Sequence, residues 1–190
     1  PVCHALLQDI KFFQILVRID EEFAQQTRIA GCACGGSLHR ANYPRKPRGC
    51  PAQIRTDFER RLSFCCNACR KRTTCMSVRF LGRRVYLGMA MVLMSARLTQ
   101  SSAITTRLSQ SLGVSLRTLQ RWRQWWQVQF PLSGLWQAIC ARFMPPVQTG
   151  LLPSSLMQRF GDCAAQPMTR LLVFLSPITV PLFCTQPEGC

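Results

Sequence analysis

The sequence predicts a mainly α protein in which one small, loop-rich and β-poor unit is stapled by cysteines. Three observations carry this expectation. Apolar residues recur at helical spacing over residues 5–29 and through most of 83–143. Residues 32–80 hold Cys, Gly, Pro and Arg but few apolar side chains, so they cannot build much core unaided. Proline then punctuates the end of the chain, at 145, 146, 153, 167, 177, 181 and 187. The expected order is an N-terminal amphipathic helix (1–31), the basic cysteine unit (32–80), a helical domain (83–144) and an irregular tail (145–190) with one short helix near Ser154–Phe160.

The first helix rests on Leu6, Ile10, Phe13 and Val17, with Phe12, Leu16, Ile19 and Phe23 widening the stripe. Asp20, Glu21, Glu22, Gln25 and Gln26 supply its wet face, and Gly31 ends it. A packing helix is the plain reading; a dimerisation helix, and so a homodimer, is the functional one.

Charge narrows the partners. The chain carries a formal +16, from 24 basic and 8 acidic residues. Residues 40–84 alone hold 13 basic and two acidic residues, whereas residues 1–39 hold three and four. Charge concentrated around one cysteine cluster, mostly as Arg, favours a polyanion. Two apolar stretches, 85–96 and 171–184, fall short of the roughly 20 residues a spanning helix needs. No membrane partner is therefore expected.

Twelve cysteines admit a disulfide framework or a metal site. The sequence opens at Pro1, so an initiator Met is expected to have been removed or left out, and no charged region followed by an apolar run and a small-residue cleavage site is seen. A reducing, cytoplasmic setting is expected, where thiolate–metal chemistry outweighs disulfides. Cys32-Ala-Cys34-Gly35-Gly36 forms one half of a site and Cys66-Asn-Ala-Cys69 the other, about 30 residues on. Small residues after the thiolates let backbone N–H groups point at sulfur. The first half is C-x-C where a two-knuckle, zinc-ribbon-like unit has C-x-x-C. The expected ligands of a structural Zn2+ are Cys32, Cys34, Cys66 and Cys69, with His39 and Cys65 as substitutes. Cys3, Cys50, Cys75, Cys140, Cys163, Cys184 and Cys190 read as ordinary thiols.

Between the halves, Pro44 and Pro47 hold a basic arm extended, presenting Arg45, Lys46 and Arg48; Arg70, Lys71 and Arg72 follow the second half, then Arg79 and Arg83–Arg84. Such an arm can track phosphates or enter a minor groove. A solvated basic loop is the bland reading.

Residues 105–123 read as helix, turn, helix. Leu108 and Leu112 lie one turn apart, Ser109 is small where helices approach, Gly113 takes the turn, and Val114 plugs it. Ser115 can cap the second helix, and Leu119 and Trp122 mark its buried face. Its polar face carries Arg117, Gln120, Arg121 and Gln124, with Ser115 and Leu116 at its start. Arg suits guanine and Gln suits adenine in the major groove. An αα-hairpin with a basic solvent face is the plain alternative. Trp122, Trp125, Trp126 and Trp136 read as core.

The cysteine halves, the basic linker and the Gly-Val-Ser-x-Arg-Thr-Leu-x-Arg-Trp helix-turn-helix together resemble the zinc-ribbon and helix-turn-helix DNA-recognition part of bacterial transposases and related mobile-element proteins. Segments 34–49 and 64–86 also resemble a family of small bacterial proteins with no assigned activity, over roughly residues 1–180. The first resemblance implies DNA binding and no particular site; a cytoplasmic, nucleoid-associated location is the matching expectation. It departs from the common transposases in one respect: the acids Asp9, Asp20, Glu21, Glu22, Asp57, Glu59, Asp162 and Glu188 do not form the three-carboxylate, two-metal set in a β-rich segment. No catalytic residue is expected. The reading is a non-catalytic, zinc-containing duplex-DNA-binding protein, from a mobile element or a transcriptional regulator. The alternatives are the DNA-targeting subunit of a recombinase whose catalytic residues lie on a partner chain, and a zinc-stabilised module for RNA or an acidic protein.

Overall fold

The computed structural model describes residues 5–47, 50–81, 92, 110, 114–161 and 164–180. Among these the protein is mainly α with a small antiparallel sheet system. The segment 85–96, apart from the buried Val92, lies outside the described residues, as does the first helix of the expected helix-turn-helix apart from Gln110.

Helix α1 spans Ile10–Ala30. It starts at Ile10 because Asp9 caps it, its carboxylate accepting the Phe12 N–H at 3.2 Å. It stops at Gly31, whose φ of 72° a side chain would resist. Its buried face is Phe12, Phe13, Leu16, Asp20 and Ala24. This corrects the expected stripe: Leu6 precedes the helix, Ile10 is exposed, and Asp20 is inside. The phase follows the i, i+4 series 12, 16, 20 and 24.

Asp20 is fully buried, which is costly for a carboxylate unless its oxygens are satisfied. Arg79 Nε donates to Oδ2 at 2.7 Å, the Ser77 hydroxyl donates to the same oxygen at 2.5 Å, and the Val78 N–H donates to Oδ1 at 2.7 Å. The Arg79 guanidinium also reaches the carbonyls of Asp57 and Arg60 and stacks near the Phe58 and Phe80 rings. Arg61, also buried, donates to the carbonyls of Cys75 and Met76 and to the Thr179 hydroxyl. These two arginines join the N-terminal helix, the middle of the chain and residues near its end.

The cysteine unit holds more β-structure than its composition predicts. Strands β1 (Leu38–Arg40), β4 (Ser63–Cys66) and β5 (Arg72–Thr74) form an antiparallel sheet in the order β1-β4-β5. Strands β2 (Tyr43–Pro44) and β3 (Arg60–Arg61) form a two-stranded ladder. A short helix, α2 (Arg55–Phe58), lies between β2 and β3. The strands are two to four residues long, too short for alternation to be legible. Beneath the sheet sits a small core of Ala24, Leu38, Phe64, Cys66 and Cys75.

Helix α3 covers Leu116–Gln124 and runs into a π turn at Trp125–Gln129. Ser115 caps α3, its hydroxyl accepting the Thr118 N–H. Helix α4 (Gly134–Ile139) follows a second serine cap, Ser133. The aromatic rings of Trp126, Phe130, Trp136, Phe143, Phe174 and Phe160 touch in succession, with centroids 5.0–5.9 Å apart. The tryptophans are thus core, as expected.

Helix α5 (Ser154–Phe160) lies where the sequence predicts one. The tail beyond it is more ordered than predicted: α6 spans Ala165–Leu175 and buries Met168, Leu171, Leu172 and Leu175 in the main core. Pro167 is tolerated because it occupies the first turn, where a backbone N–H has no intrahelical partner. Pro177 likewise sits at the start of the closing 3-10 turn, Ser176–Thr179. Among the described residues, no helix is long and apolar enough to cross a membrane.

Candidate metal centre

Two loops deliver four thiols to one point. Gly31 turns the chain out of α1 and places Cys32 immediately after it. The turn closes with the Gly35 N–H donating to the Cys32 carbonyl at 2.8 Å, and Gly35 takes a φ of 79°. The second loop leaves β4 at Cys66 and closes with the Arg70 N–H donating to the Cys66 carbonyl at 3.2 Å. Arg70 adopts a positive φ of 58°, a left-handed conformation that costs a side-chain-bearing residue about 1–2 kcal/mol. The Asn67 N–H donates to the Ser37 carbonyl and ties the loops together.

The four Sγ atoms of Cys32, Cys34, Cys66 and Cys69 all lie within 4.8 Å of one another. Cys34 to Cys66 is 3.4 Å; Cys32 to Cys69 and Cys32 to Cys34 are each 3.5 Å. A tetrahedral ion with Zn–S bonds of about 2.3 Å needs S···S edges of about 3.8 Å. The three short contacts fall a few tenths of an ångström below that edge, and all four sulfurs lie within 4.8 Å, so the cluster is near the size of a tetrahedral four-thiolate site. The close packing at Gly36 serves the same end. A Cβ there would stand 2.5 Å from Cys66 Sγ and 2.8 Å from Ala68 Cβ. Glycine is the residue that lets the loops meet.

Electrostatics favour loss of a proton at one sulfur. The Gly36 N–H points at Cys34 Sγ, and the thiols of Cys66, Cys32 and Cys69 add to it, holding Cys34 down at about 6. Cys32 receives the Cys34 N–H, but its thiol contacts with Cys34, Cys69 and Cys66 oppose a second thiolate beside the first, and it is pushed up to about 12. A divalent cation removes that conflict by neutralising the charge the thiolates share.

The predicted ligands are thus the ones brought together, and the two substitutes are not among them. Side chains alternate across a strand, so Cys65 points away from the face that carries Cys66, and it is disulfide-bonded, which corrects the expectation of a free thiol there. His39 sits opposite Cys65 across the β1–β4 ladder, exposed on that outer face. The narrow C-x-C spacing is accommodated because the tight turn at Gly35 swings Cys34 toward Cys66.

The expected polyanion-binding residues divide. Arg70, Lys71 and Lys46 are exposed. Arg45 is half-buried, its guanidinium 4.9 Å from the Tyr43 ring centre. Arg72 is half-buried and donates to the Ala41 carbonyl and, at 3.0 Å, to the Ser63 hydroxyl. Arg79 is inside, held by Asp20. Arg48 lies outside the described residues. On α3, Ser115, Arg117, Gln120, Arg121 and Gln124 are exposed, whereas Thr118, Leu119 and Trp122 are buried. Val114, the expected plug, is buried too; Leu108, Leu112 and Gly113 lie outside the described residues.

Sequence reasoning missed the buried Asp20–Ser77–Arg79 group. Asp20 stands four residues from both Leu16 and Ala24 on the stripe the structure buries, but its acidic neighbours Glu21 and Glu22 masked it in the sequence. Comparison of the chain with protein-family models, curated proteins and solved structures gives no match.

Proposed function

We propose that this is a non-catalytic, zinc-containing protein that binds duplex DNA through α3, serving a mobile element or a transcriptional regulator. The observation that carries the reading is the make-up of α3. One side is anchored by Leu119 and Trp122, and the other presents Arg117, Gln120, Arg121 and Gln124 to solvent.

That polar face is poorly arranged for the protein's own stability. Arg117 sits in the first turn, where the helix dipole disfavours a cation, and no acidic residue offsets it there. Arg117 and Arg121 are a like-charge pair at i, i+4. A polyanion relieves both costs. Paired donors on Arg and the donor–acceptor amide of Gln are the groups that read guanine and adenine edges. The exposed Arg70, Lys71 and Lys46 supply phosphate contacts.

Cys32, Cys34, Cys66 and Cys69 would hold the zinc ion. Four thiolates close its coordination sphere, so the ion supplies rigidity rather than a reactive position. It would staple two loops whose own core is small.

The test is an equilibrium titration of the zinc-loaded protein with labelled duplex DNA and with single-stranded RNA over a series of salt concentrations. Duplex binding that weakens linearly in log–log form with salt supports the proposal. Tighter binding to RNA, or no duplex binding, overturns it.

A further inference from the structure

Three side chains on α3 form a hydrogen-bonded line. The Ser115 and Thr118 hydroxyls lie 3.0 Å apart, and Arg121 Nη2 donates to Thr118 Oγ1 at 3.2 Å. Thr118 is only 6% exposed, so its hydroxyl is fixed by the core behind it. Helical side chains lean toward the N-terminus, which brings the long Arg121 side chain back over the first turn.

We infer that Thr118 is a positioning residue that sets Arg121 for recognition of a guanine edge in the DNA major groove. The inference rests on the duplex-binding reading of α3. An exposed arginine normally samples many rotamers and loses that freedom on binding. Here one Nη2–H is held by Thr118, which narrows the orientations open to the guanidinium before any partner arrives. The remaining donors face solvent at the end of the helix that helix-turn-helix proteins use for base edges. Guanine, with two acceptors side by side, matches that fork; adenine offers one acceptor and one donor. The Thr118 oxygen accepts from Arg121 and shares a second hydrogen bond with the Ser115 hydroxyl, in which either oxygen can donate.

The experiment selects binders from a random-sequence duplex library with the full-length, zinc-loaded protein, and compares Thr118→Val, Thr118→Ser and Arg121→Ala. The wild type is expected to enrich a motif with a guanine that Arg121→Ala no longer requires. Thr118→Val should cut guanine-over-adenine discrimination at that position about tenfold, with the salt slope unchanged. Thr118→Ser, which keeps the hydroxyl, should restore it. Full discrimination in Thr118→Val, or a motif indifferent to Arg121→Ala, overturns the inference while the duplex reading stands. A wild-type protein that binds duplex but enriches no motif also overturns the inference, and one that binds no duplex overturns both. Because Arg121 and its variant are exposed, that arm does not depend on how the core tolerates valine.

Discussion

Cys34 Sγ lies 3.4 Å from Cys66 Sγ, although 32 positions separate them in the chain. That separation is close to the S···S edge of neighbouring thiolates on one tetrahedral ion. The glycine at position 36 is the structural expression of the same constraint, because the loops can approach only where no side chain stands between them.

Gly36→Ala should therefore lower metal affinity sharply, since the new methyl would overlap Cys66 Sγ. Gly150→Ala is the matched control, with nothing within 4 Å of its added carbon. Competition with a chromophoric chelator should separate the two variants by at least about tenfold, the scale of effects from groups supporting a metal's ligands. Equal affinities would mean that the loops meet in some other way.

The thiols should label in a defined order. In metal-stripped protein Cys34 is expected to alkylate first, because it is exposed and its thiolate forms at about 6. Cys75, whose thiol is pushed up by burial, should label only on unfolding. Bound metal should protect Cys34. The sign with pH follows from the depressed value: favourable thiolate contacts at Cys34 are complete above the ordinary thiol range and fade as pH falls through about 6. Metal binding must weaken in the same direction, since protons compete for the ligands. Peptide mapping after timed iodoacetamide exposure reads both effects.

Much of the centre was legible in sequence because a chelating pattern is local: Cys66-x-x-Cys69 and Cys32-x-Cys34 each fit within one turn. The Ser115 cap of α3 was legible for the same reason. Asp20 was not, because its neighbours Glu21 and Glu22 are solvent-facing and its partners Ser77 and Arg79 lie far along the chain. Helix α6 was hidden by Pro167, a breaker in mid-helix but harmless in a first turn. The strands of the cysteine unit were hidden by their length.

Asp20→Asn should destabilise the fold by about 3–5 kcal/mol, as expected when one member of a buried ion pair is removed. Arg79 would be left charged and buried without its carboxylate. Denaturant unfolding at fixed zinc checks this. A double variant, Asp20→Leu with Arg79→Met, should recover part of the loss, since replacing both charges removes the desolvation penalty.

Arg117→Ala and Arg121→Ala should leave unfolding unchanged within about 0.5 kcal/mol, because both side chains are exposed. Ser115→Ala should cost about 1 kcal/mol through loss of the helix cap. Thermal melting of the three variants separates residues kept for binding from the one kept for the helix. An equal loss in all three would remove the reason for assigning the α3 face to a partner.

The most direct test of the account is native mass spectrometry of the purified chain with zinc. The account predicts one zinc ion per chain, bound with displacement of thiol protons, and its loss in a Cys66→Ser, Cys69→Ser double variant that retains α-helical circular dichroism. A chain that binds no zinc, or one that keeps it after both substitutions, would contradict the four-thiolate centre.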